Sequence, residues 1–156
     1  MKEGTKMEYN IASFQKNIKD NNKQLSDLRE KISRYTNLYE SLRVFKRTVE
    51  NSQKNFESIN ASKKRMLIEV ASVRRNNKAA SNYFVGINDI LNGTGTQIVS
   101  VAYRGLLRQI ADKLFEYKRE IDNCQKQIDI CQQNITDLGN QFKEQIRHIK
   151  EARNDG

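Results

Sequence analysis

From Leu107 to Ile149 the apolar residues recur in unbroken alternating steps of three and four: Leu107, Ile110, Leu114, Tyr117, Ile121, Cys124, Ile128, Cys131, Ile135, Leu138, Phe142, Gln145 and Ile149. Gln145 is the one polar member, and Ile146 beside it can turn into the gap. Such spacing places a narrow apolar stripe along one side of a helix, which water disfavours unless another helix covers it. A second seam supplies the cover. It opens at Ile11 and runs through Phe14, Ile18, Asn21, Leu25, Leu28, Ile32, Tyr35, Tyr39 and Leu42. Asn21 is its lone polar position, of the kind that fixes register. Beyond Leu42 the stripe is expected to slip by one residue and continue as Phe45, Val49, Ser52, Phe56 and Ile59, the drift of a 3.6-residue helix against a heptad.

Charge pairs four apart, Asp27 with Lys31, Glu30 with Arg34 and Asp122 with Lys126, support helix on both seams. Between the seams the pattern changes. Ser58 to Ser62 holds Asn60 and two serines, residues that favour caps, so a kink or break is expected there. A basic stretch follows, with Lys63, Lys64, Arg65, Arg74, Arg75 and Lys78 against Glu69 alone, and then an apolar group of Tyr83, Phe84, Ile87, Ile90 and Leu91. Asn92-Gly93-Thr94-Gly95-Thr96 reads as the clearest turn, with glycines free to adopt positive φ. The expected fold is therefore all-α: a long antiparallel helical hairpin, a coiled coil in one domain over 1–156. Its parts are a frayed leader from Met1 to Lys6, arm one over 7–91, the turn at 92–96, and arm two over 97–153, fraying after Ala152. As single helices the arms would be about 130 Å and about 85 Å long. That mismatch places a break in the first arm near 58–80.

Composition narrows the class. The chain has no Pro, no Trp, 30% charged and 37% hydrophobic residues, which is lean for a globular core and suited to rods. The longest apolar bursts, Met66-Leu67-Ile68 and Tyr83-Phe84-Val85, are far short of a membrane span. Met1 to Asn10 is polar and does not resemble a secretory signal, so synthesis in the cytoplasm is the expectation. Cys124 and Cys131 lie seven apart on the seam, about 10 Å of helix rise, too far for a mutual disulfide, and read as small apolar side chains. His148 is the sole histidine and has no adjacent nucleophile or ligand cluster, and Gly93-Thr94-Gly95 lacks the Lys of a phosphate loop. Neither catalysis, a cofactor nor a metal site is expected.

The order of features carries a resemblance. A coiled-coil arm rich in Gln, Lys and Ile is followed by Asn76-Asn77-Lys78-Ala79-Ala80, Tyr83-Phe84-Val85-Gly86 and Ile90-Leu91-Asn92-Gly93, then by a second heptad arm. Over roughly residues 8–150 this resembles the small helical proteins encoded beside LXG-domain toxins in Gram-positive bacteria, relatives of the WXG-type hairpins exported by type VII secretion. Phe84-Val85-Gly86 stands where such hairpins carry Trp-x-Gly, with Phe for Trp. The family's Tyr-x-x-x-Asp/Glu export signal is absent; Tyr117, for example, is followed four residues on by Ile121. The resemblance implies a non-catalytic targeting partner or chaperone that packs in a helical bundle with the N-terminal helical domain of an LXG toxin, and that is co-secreted with it. Further small helical partners fit the same mode.

Tyr83, Phe84 and Gly86 read in two compatible ways, as a plug that relieves crowding at the closed end of the hairpin or as a docking motif. Leu38, Val44, Leu106, Phe115 and Ile130 flank the seams and exceed what two helices can cover, which marks them as partner-binding. Two other classes stand beside this one, a structural tether or phage-type coiled coil and a basic binder of nucleic acid or membrane surface. The first 91 residues hold 18 Lys and Arg against 10 Asp and Glu, the remaining 65 hold 10 against 9, so the basic excess lies on the first arm. Because those charges are dispersed around seams rather than interleaved with exposed aromatics, neither nucleic acid nor membrane insertion is expected.

Overall fold

The computed structural model describes residues 2–73 and 77–156, with side chains described from Asn10 onward apart from that of Val73. Three helices account for nearly all of them: α1 over Lys2–Val73, α2 over Lys78–Asn92 and α3 over Thr94–Asn154. The fold is an all-α helical hairpin. α1 begins at Lys2 where a frayed leader was expected, and α3 extends to Asn154.

The chain divides into two units, one of residues 1–38 with 117–156 and one of residues 39–116. In the first, Phe14 meets Phe142 edge-on with ring centroids 6.4 Å apart, and Tyr35 meets Tyr117 at 5.9 Å. Numbers that rise on α1 while they fall on α3 define an antiparallel pair. Its core is Leu25, Leu28, Cys124, Ile128 and Cys131, flanked by Ile32 and Ile135. Burying such side chains contributes about 1.5–3 kcal/mol each for the larger ones. Every seam position of α1 from Ile11 to Tyr35, and of α3 from Tyr117 to Ile149, is buried or half-buried, Gln145 included, and Ile146 beside it is half-buried as well. Both cysteines are free and buried, as small apolar side chains should be. The Nδ2 of Asn21 donates to the Asn17 carbonyl at 2.8 Å, within its own helix. Lys31 reaches across to Glu120 at 4.0 Å, where a partner four residues away on its own helix was expected.

In the second unit α1 keeps the heptad register. Tyr39, Leu42, Lys46, Val49, Gln53, Phe56, Asn60, Leu67 and Val70 are buried or half-buried along it, with only Lys63 of the repeat exposed, so the stripe does not slip; Phe45, Ser52 and Ile59 are exposed instead. An underwound pair holds one seam toward its partner indefinitely. The consequence is a partly polar interior, which Lys46 tolerates by extending its stem and placing its amine 3.6 Å from Glu50. Phe56 meets Tyr103 of α3 with centroids 5.9 Å apart, and Val49, Leu67, Leu91 and Ile110 are the most buried apolar side chains.

Ser58 to Ser62 is continuous helix; later in the expected window α1 ends at Val73, and the extended Asn77 precedes α2 at Lys78, residues 74–76 lying outside the described residues. Asn77 caps α2: its Oδ1 accepts from the amides of Ala79 at 2.9 Å and Ala80 at 3.2 Å. α2 packs back along the end of α1, with Leu67 and Val70 sharing a cavity wall with Ile87 and Leu91. α2 is thus already antiparallel to α1, so the chain does not reverse at 92–96. Only Gly93 interrupts the helices there, with φ −83° and ψ −179°, so positive φ is not used. Glycine is required for another reason, because a Cβ at residue 93 would collide with the Asp89 carbonyl oxygen. Thr96 closes the joint by donating its hydroxyl to the Ile90 carbonyl at 2.6 Å, and the Gln97 amide donates to Gly93 at 3.3 Å to start α3.

Candidate partner-docking face

Residues seven apart on a helix that holds its seam stay on one side of it. In the second unit, the position just before each of Lys46, Gln53, Asn60 and Leu67 carries Phe45, Ser52, Ile59 and Met66. The equivalent position on α3, before Ser100, Leu107 and Leu114, carries Val99, Leu106 and Lys113; on α2, before Phe84 and Leu91, it carries Tyr83 and Ile90. In an antiparallel pair the same flank of both helices lies on the same side of the hairpin. These residues therefore form one face. Two hollows in it agree with that placement: one of about 300 Å³ whose rim includes Met66, Tyr83 and Ile90, and one of about 270 Å³ lined by Ile98, Val99, Ala102, Tyr103 and Leu106.

The face is mainly apolar, with Lys113 at the end of its α3 row and Lys63 beside one hollow as its charged residues. Phe45 is 49% exposed, Ile59 54% and Met66 62%, while the next row outward on α1 is Thr48, Asn55 and Ser62 and on α3 is Gly95, Ala102 and Gln109. The same heptad flank in the first unit is polar apart from Leu38 at its end, with Asn17, Gln24 and Lys31 on α1 and Glu120, Gln127, Asn134 and Gln141 on α3. Among the described residues, all the large exposed apolar side chains except Leu38 and Ile130 belong to the second unit. Its opposite flank is polar and carries charges of both signs. Arg43, Glu50, Glu57 and Lys64 follow seam positions there on α1 and Gln97 and Arg104 on α3, and a hollow of about 380 Å³ is lined by Lys64, Arg104, Asn92, Thr96, Gln97 and Ser100 with Leu91 and Val101.

Of the residues singled out for partner binding, Tyr83 and Leu106 lie on this face. Leu38 and Ile130 are exposed and belong to the first unit. Val44 and Phe115 are exposed, at 62% and 70%, on other sides of their helices. Phe84 is half-buried on the inner side of α2. The plug reading fails for two of its three residues. Tyr83 is 58% exposed, and a Cβ on Gly86 would meet nothing within 4 Å, so there is no crowding for that glycine to relieve. The face residues missed in the sequence are Phe45, Ile59, Met66, Ile90 and Val99. Their heptad spacing was visible, but the expected slip turned Phe45 and Ile59 inward.

His148 is an exposed side chain whose Nδ1 lies 3.6 Å from Glu151. Among the described residues no group of His, Cys, Asp or Glu is placed to hold a metal ion, and no helix is long and apolar enough to cross a membrane. Of the six basic residues of the central segment, Arg74 and Arg75 lie outside the described residues. No family model, curated protein or solved structure matches this chain.

Proposed function

We propose that this chain is a non-catalytic binding partner, a targeting chaperone that adds its second unit to a helical bundle formed with the N-terminal helical domain of an LXG-type toxin bound for type VII secretion. The observation that carries the binding role is the mainly apolar face of Phe45, Ile59, Met66, Val99 and Leu106 in a chain that is 30% charged. Contiguous apolar surface of this kind marks an interaction site, and side chains at heptad spacing are met by another helix. The toxin domain as partner comes from the order of sequence features, the coiled-coil arm, Tyr83-Phe84-Val85-Gly86 and the second heptad arm. Co-expression with the helical domain of a neighbouring LXG toxin tests it. The pair should co-purify, and Ile59→Glu with Leu106→Glu should abolish the complex while far-ultraviolet circular dichroism stays unchanged. A complex that survives the double substitution would remove this face from the interface.

A further inference from the structure

The hollow between α1 and α2 differs from the rest of the face in two respects. Its floor is closed by Leu67 and Leu91, exposed by only 5% and 3%, while Met66, Tyr83 and Ile90 stand out around it. A buried apolar floor inside an exposed apolar rim is the arrangement in which partner side chains gain most on docking. Its second feature is charge: Lys63 is the one charged residue lining it, and it is exposed.

Gly86 adds a steric observation. It lies one turn from both Tyr83 and Ile90, its φ is not positive, and a Cβ there would touch nothing. Nothing within the second unit calls for glycine, which a helix interior disfavours relative to alanine. A missing side chain between two exposed apolar ones leaves room for another backbone to approach.

We propose that this hollow is the anchor site for the partner, and that it takes an amphipathic helix with carboxylates beside its apolar stripe, the apolar side chains entering between Met66, Tyr83 and Ile90 and a carboxylate meeting Lys63. The proposal rests on the binding role above and names the chemistry of what is bound. Charge selects this occupant over a second copy of the chain. Residues 39–116 carry 13 Lys and Arg against 7 Asp and Glu, so two such units repel where an acidic helix is attracted.

The test uses the full chain and two fluorescent, side-chain-stapled helical peptides of about 20 residues. Both carry the same Leu stripe, one flanked by Glu and the other by Lys. Fluorescence anisotropy should show the Glu peptide bound at least about fivefold more tightly than the Lys peptide. Lys63→Glu should reverse that preference, and Ile90→Glu or Gly86→Leu should abolish binding with helicity retained. Equal binding of both peptides, or binding indifferent to Ile90→Glu, would overturn the proposal. If neither peptide binds while the toxin domain does, the anchor chemistry is wrong and the chaperone reading stands; if the toxin domain also fails to bind, both fall. Self-association of the full chain in sedimentation equilibrium, lost in Ile90→Glu, would overturn the proposal by making the occupant a second copy.

Discussion

Phe56 of α1 and Tyr103 of α3 lie with ring centroids 5.9 Å apart, tilted by 43°, and this contact fixes which side of α1 faces inward in the second unit. Phe45, eleven residues earlier, points elsewhere and is 49% exposed. Phe56→Ala should cost about 2–4 kcal/mol in chemical denaturation, since it removes a packed ring and leaves a gap. Phe45→Ala should cost under about 1 kcal/mol. The reverse ranking would mean that the seam slips after Leu42 after all.

The two glycines of the α2 region should respond in opposite directions. Gly93→Ala drives a Cβ into the Asp89 carbonyl and should destabilise the chain by roughly 1–3 kcal/mol through strain at the α2–α3 joint. Gly86→Ala meets nothing and should stabilise by up to about 1 kcal/mol through helix propensity. Thermal melts followed by circular dichroism check both, and a stabilising Gly93→Ala would show that the joint is not formed as described.

The buried thiols of Cys124 and Cys131 are 2% and 3% exposed. Ellman's reagent should react with them only at the rate of opening, and fully once denaturant is added. Immediate reaction of either thiol in the native chain would contradict the packing of the first unit.

The helices, the two seams of the first unit and the location of a break within 58–80 were all legible in the sequence, because a three-four repeat without proline admits little else. The direction of the chain was not. Asn92 to Thr96 has the strongest turn composition, yet Thr94 to Thr96 enter α3 and Gly93 serves close packing; Asn77, which caps α2, carries a weaker turn signal. The docking face was only half legible for a related reason. Lys46, Gln53 and Asn60 are polar residues at seam positions, and a reading that follows hydrophobicity moves the seam one residue to avoid them. Retaining the register is what turns Phe45 and Ile59 outward.

The hollow bordered by Lys64 and Arg104 on the opposite flank offers a separate test. If Lys64, Arg104 and their neighbours bind a polyanion, affinity for duplex or single-stranded oligonucleotides should fall steeply as salt is raised, by counterion release. The chaperone account expects no binding in an electrophoretic shift at moderate salt. A salt-dependent shift that Lys64→Ala with Arg104→Ala removes would instead place nucleic acid on this flank.

The central claim is that the partner covers one side of the second unit and leaves the other open. Maleimide labelling of single introduced cysteines measures this directly, since Cys124 and Cys131 are shielded. Ile59→Cys on the apolar face and Lys54→Cys, which does not lie on that flank, are compared in the free chain and in the complex with the toxin's helical domain. Both should label readily in the free chain. In the complex, labelling at residue 59 should slow at least about tenfold, as expected for a site excluded from water at the interface, and labelling at residue 54 should be unchanged. Equal protection at both positions, or protection at residue 54 alone, would contradict the account.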